Sequence, residues 1–197
     1  MVFKSILQSS LAVAFVAGLI TALPTSQAHA EVIFKQEIKF FDVRGETSQE
    51  IFKDFQKKSP VKSKGQYDAT LGVAAIQITP KAEYEVRGRR CHAKNPRIVT
   101  DVVIHLPKWV NYGQADPFSK QTWDDLFEKI KAHELQHAAI AKDYAKRMDK
   151  KIESHLSRSS CKSIERALQR ASGRLLKKHD AAQRRFDRKE YGRLLGG

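Results

Sequence analysis

Residues His133-Glu134-Leu135-Gln136-His137 fit the pattern H-E-x-x-H. Residues four apart on an α-helix share a face, so His133 and His137 can grip one ion from the same side. Imidazole nitrogens are zinc ligands at ~2.0 Å. Glu134 is turned by about 100° from His133, which keeps its carboxylate beside the ion without ligating it. From there it can take a proton from an activated water. The chemistry this spacing supports is metal-assisted hydrolysis of an amide bond, with Glu134 as general base. The plainer alternative is two histidines satisfied within a helical core, with Glu134 at its edge.

For the pair to work, a helix must present it. Trp123, Leu126, Phe127, Ile130, His133, His137, Ala141, Tyr144 and Met148 recur at three- and four-residue spacings. Asp116-Pro117 supplies an N-cap with proline at the first helical position. One long helix is expected over 118–155, with the two histidines on its apolar stripe. A second, basic helix is expected from Ser159-Ser160 towards Tyr191. Upstream the period changes to strands: 32–43, 71–79, 84–91, and 97–106 (RIVTDVVIHL), which Pro107 should end. Thr47 and Glu50 form a capping box for a short helix after the first strand. The expected fold is α+β: a small, mainly antiparallel N-terminal sheet with one short helix, then two long antiparallel helices.

A catalytic zinc takes three protein ligands. Asp143 stands where H-E-x-x-H-x-x-G-x-x-H enzymes place the third, but that arrangement needs a chain reversal at glycine. Ile140 fills the glycine slot and the helical pattern continues, so Asp143 points away. The second helix offers Glu165, His179, Asp187 and Glu190, and the end of the first offers Glu153 and His155.

The remaining features bound the class. Residues 1–30 read as a secretory signal: Lys4, an uncharged apolar run over 6–23, and Ala28-His29-Ala30 as the cleavage pattern. Residues 31–197 then form a single domain, with no stable membrane anchor after cleavage. Localisation is periplasmic or secreted, and Cys91 and Cys161 are expected to be bridged there. The net charge is +14, and residues 142–193 hold 17 Lys or Arg against 7 Asp or Glu. Few aromatics interleave these charges, which argues against nucleic acid as the partner. A non-enzymatic rival follows from the same charges: a basic envelope protein with a structural metal, binding an anionic polymer or protein partner.

The order of several segments carries a resemblance over nearly the whole chain after residue 30. They are FFDVRGETSQEIFKDF, the Cys91 region followed by VVIHLPKW, the H-E-x-x-H helix from Trp123, Cys161, and the late FDRKE. The chain resembles a family of predicted secreted zinc-dependent proteases of bacteria, catalogued as a domain of unknown function. The resemblance implies a zincin-like zinc metalloprotease that hydrolyses peptide or protein substrates, with Zn²⁺ held by His133 and His137. In that family the late motif reads like F/Y-D-R-x-E or Y-D-x-x-T-x-H-G. Here Phe186-Asp187-Arg188-Lys189-Glu190 has no histidine beyond it, which points to Glu190 as third ligand. Helical rise brings Glu190 to about the level of His133 and leaves His179, the leading substitute, nearer His137. An oxyanion donor is expected at Tyr144 or Tyr191, and a substrate-binding edge at 97–106.

Overall fold

A computed structural model describes residues 30–58 and 71–195, with side chains up to residue 190. All but the last residue of the expected signal (1–30), the segment 59–70, whose start at Ser59 to Gly65 reads from sequence as a basic turn or loop, and the side chain of Tyr191 lie outside the described residues.

The fold is α+β. Its strands are β1 (Glu31–Val43), β2 (Val73–Arg87), β3 (Arg90–Trp109) and the two-residue β4 (Ser157–Arg158). Its helices are α1 (Ser48–Lys58), α2 (Pro117–Glu153) and α3 (Cys161–Leu195). The sheet order is β1-β3-β2, with β4 pairing the start of β3. β2 and β4 run antiparallel to β3, whereas β1 runs parallel to it from Glu31↔Arg97 to Val43↔Trp109. The sheet is therefore mixed, because β1 adds one long parallel pairing to the expected antiparallel set.

The expected 97–106 strand is the middle of β3 and has neighbours on both sides. It offers no free edge, so it cannot bind a peptide by strand addition. Pro107 does not end the strand either, as Phe41 pairs with it and the ladder continues to Trp109. Beyond His105 the β2 partner has stopped, so β3 needs donors on one side only and tolerates a proline there. The two expected strands at 71–79 and 84–91 join into one strand, β2, interrupted by an irregularity between Lys81 and Glu83 and ending at Arg87, while Arg90 and Cys91 already belong to β3. Pro80 is accommodated because β2 is an edge strand.

Strand alternation sets the core. Ile98, Thr100, Val102, Ile104 and Leu106 are all buried, so every second residue of β3 faces the helices. Against them α2 lays Ile130, Ala138, Ala141, Ala145, Met148 and Ile152. Local signals start α1 and α2 as expected. Thr47 Oγ1 accepts from Glu50 N (3.3 Å), and the Glu50 carboxylate accepts from Glu46 N (2.9 Å). Asp116 Oδ1 accepts from Phe118 N and Ser119 N ahead of Pro117.

α2 and α3 pack antiparallel: Ile152 and Leu168 share one cluster near the connection, and His137 bonds Gln183 far from it. A disulfide joins Cys91 to Cys161, with Cα atoms 5.1 Å apart, and ties the start of α3 to β3. The Ala93 amide donates to Leu156 O beside it (2.8 Å). At the chain start, buried Ala30 donates its amide to Asp149 Oδ1 (2.9 Å), fastening β1 to α2. Among the described residues no helix is long and apolar enough to cross a membrane.

Candidate metal centre

His133 and His137 project from one flank of α2 towards α3, one helical turn apart. Their Nε2 atoms lie 3.0 Å from each other. Asp187 Oδ1, from α3, lies 2.9 Å from His137 Nε2 and 3.5 Å from His133 Nε2. A tetrahedral zinc with bonds of ~2.0–2.2 Å sets its ligand atoms roughly 3.3–3.6 Å apart. The three observed separations fall within that spacing or slightly inside it. Atoms this close must share a proton or a cation, and two imidazoles with one carboxylate are a donor set zinc accepts. The residues thus fit the ion.

The surroundings favour an unprotonated His133 ring. Burial lowers the pKa of His133, the neighbouring His137 adds to this, and Asp187 and Glu190 oppose it. Phe186 stacks on His133 (centroids 4.7 Å, 29°) and meets His137 edge-on (5.0 Å, 85°), shielding both rings. Asp187 keeps half its side chain exposed, so the centre is reachable from solvent.

Glu134 turns towards the sheet, against Gly72, yet stays near enough to the centre for Asp187 to act on it electrostatically. It is the buried residue of this turn, in line with Ile130 and Ala138, while the two histidines are only half-buried. The expected apolar stripe therefore lies one residue off the histidine pair. Burial raises the Glu134 pKa to about 7, the Ala74 backbone amide pulls it down, and Asp187 pushes it up.

Gly72, just before β2, makes room for this carboxyl. A Cβ there would stand 2.7 Å from Ile130 Cγ2, 2.9 Å from Glu134 Cγ and 3.1 Å from Glu134 Oε1. Gly72→Ala should destabilise the protein by ~1–3 kcal/mol through overpacking. Gly173→Ala, with nothing within 4 Å of its Cβ in mid-α3, should instead stabilise it by ~0.5–1 kcal/mol. Urea unfolding of both variants checks the pair of signs, and equal effects would refute this account of Gly72.

Of the six carboxylate and histidine candidates for third ligand, the fold brings Asp187 to the pair. Glu190 follows one turn later on α3, close enough to act on His133 electrostatically but outside the group of converging ligand atoms. His179 stands on the opposite side of Gln183 and meets the centre only through it. Tyr144 is buried two turns past His137, its ring against His179 (5.6 Å) and under Arg147 (4.9 Å), away from the ligand atoms. Sequence reasoning missed Gln183 and Gly72. The signal for Gln183 was present: His179, Gln183 and Asp187 repeat every four residues on α3, as His133 and His137 do on α2.

Fold and site together define an α+β protein with a candidate two-histidine, one-carboxylate metal centre between its two long helices. Residues 38–193 match the family described as "Bacterial protein of unknown function (DUF922)", and the chain belongs to that family. No curated protein and no solved structure matches the chain.

Proposed function

We propose that this protein is a secreted zinc metallopeptidase with a zincin-like centre. The observation that carries the reading is the convergence of His133, His137 and Asp187 on one point, with a buried carboxylic acid in the same turn of α2. When bound, zinc supplies Lewis-acid polarisation of a carbonyl and lowers the pKa of a water towards 7. His133 and His137 would hold the ion from α2 and Asp187 would hold it from α3. Phe186 keeps bulk water off the rings, and the exposed side of Asp187 leaves an approach for a peptide. Glu134, with its pKa near neutrality, is suited to take a proton from the attacking water and return it to the leaving amine. The Cys91–Cys161 bridge supports a site of action outside the cytoplasm.

Metal analysis of the purified protein is expected to find about one zinc per chain. His133→Ala, His137→Ala and Asp187→Ala should each lose it, and Glu190→Ala should keep it. Zinc retained in Asp187→Ala but lost in Glu190→Ala would move the third ligand to Glu190. Zinc-loaded protein should cleave an unfolded protein such as casein, and a chelator should stop it. Bound zinc without any cleavage would favour the non-enzymatic basic protein instead.

A further inference from the structure

Gln183 reaches from α3 to two parts of one residue. Its Oε1 lies 2.7 Å from His137 Nδ1, and its Nε2 donates to the His137 main-chain oxygen at 3.1 Å. The same Nε2 lies 2.8 Å from His179 Nε2. His179 is buried, and its Nδ1 lies 3.1 Å from Asp180 Oδ1.

These contacts fix where the protons are. A main-chain oxygen can only accept, so the Gln183 nitrogen must face it. The opposite amide orientation would set two oxygens against each other. With the nitrogen there, Oε1 must face His137 Nδ1, and a carbonyl oxygen needs a donor, so Nδ1 carries a hydrogen. The second amide hydrogen points to His179 Nε2, which therefore accepts. His179 then carries its hydrogen on Nδ1 and donates it to Asp180. Along the path His137–Gln183–His179–Asp180 the donors point away from the centre and the path ends on a carboxylate, an arrangement in which each bond strengthens the next.

We infer that Gln183 is the positioning residue of the centre: it holds His137 as the Nδ1–H tautomer and so keeps the Nε2 lone pair facing the metal position. Resting on the zinc reading above, it adds the device that prepares one ligand before an ion arrives. A histidine ligand whose other nitrogen donates is better oriented and more basic. The opposite tautomer would place a hydrogen where the ion must sit. The two histidines are therefore unequal. His133 Nδ1 is buried with no hydrogen-bond partner among the described residues, and that ring is oriented by stacking on Phe186.

The test is a zinc competition titration of wild type, Gln183→Leu and His137→Ala. Gln183→Leu keeps the bulk of the side chain and removes its polar atoms. Its zinc Kd is expected to rise by about 10–100-fold, and binding by His137→Ala should be lost. Wild-type affinity in Gln183→Leu, with His137→Ala defective, overturns the inference and leaves the centre standing. A wild-type chain that binds no zinc removes the centre itself. Nitrogen-15 correlation spectra of the zinc-free wild type require no variant: they should show a proton on Nδ1 of both His137 and His179. A bare Nδ1 on His137 overturns the inference however the variant folds.

Discussion

Glu134→Gln is expected to keep its zinc and lower peptide hydrolysis by about 10²–10⁴-fold, the usual contribution of a general base. It is also expected to make the zinc-free protein more stable than wild type above neutral pH. The last effect follows from burial. Glu134 is 5% exposed, and its pKa rises from 4.5 to about 7. Below about pH 4.5 the carboxyl is protonated in both folded and unfolded chains and contributes no difference. As pH rises towards 7 the unfolded chain releases the proton while the folded chain retains it, so stability falls across that window. By pH 8 the shift corresponds to about 3 kcal/mol of destabilisation. Glutamine cannot ionise, and its amide oxygen can still accept from the Ala74 amide, so the variant should show no such slope. Urea unfolding of chelator-treated wild type and variant at pH 4.5 and pH 8 measures this. Parallel stabilities at both pH values would mean Glu134 is no buried titrating acid. Loss of zinc would make it a ligand, and persistent hydrolysis would place the base elsewhere. Bound zinc should flatten the wild-type slope, because a dication beside the carboxylate lowers its pKa.

Replacing the disulfide should have the largest effect on global stability. Cys91 and Cys161 close a loop with a sequence separation of 70 residues. Loop-closure entropy for that length contributes ~4 kcal/mol. In a chain of this size, that corresponds to a fall in Tm of roughly 8–16 °C for Cys91→Ser with Cys161→Ser. The bridge sits in a buried corner. Cys91 is 1% exposed, β4 pairs with β3 at the same residues, and Arg90 Nε donates to Ser157 Oγ at 3.0 Å. Alkylation without reductant, read by mass, should find no free thiol. Two alkylated thiols, or melting curves that do not move on reduction, would refute the role given to the bridge.

The elements that announce themselves locally were legible in the sequence. Thr47 with Glu50 and Asp116 with Pro117 are decided within four residues, and α1 and α2 begin where those signals stand. The first long helix follows from its cap and apolar spacing, and the second from its start at Ser159-Ser160. Sheet partners were not legible, because β1 could pair on either side of the hairpin and in either direction. Its parallel seat beside β3 depends on how the helices cover the sheet. Periodicity also put the stripe through His133 and His137, since histidine reads as apolar enough. The fold buries Glu134 instead, which local chemistry would have kept at the surface. The H-E-x-x-H pair is a one-helix feature and needs no tertiary information. The third ligand does. Glu190 and Asp187 differ by less than one turn of α3, so the small rotation of that helix against α2 chooses between them. Sequence spacing does not encode such a rotation.

The parallel pairing of β1 has a kinetic meaning. Each β1 residue meets a partner 66 positions later in the chain, as Glu31 meets Arg97. The β2–β3 hairpin, by contrast, closes around Gly88 within a few residues. Local closure is fast and distant closure slow, because the entropy of the intervening chain is lost before any contact rewards it. The order of assembly expected from this runs from the middle outward. The hairpin forms early, α2 and α3 need its apolar face to dock, and β1 joins only once that hairpin exists. Until then the first strand made is among the last to find its place, and the edge of β3 that it pairs with keeps its backbone hydrogen-bonding groups unpaired.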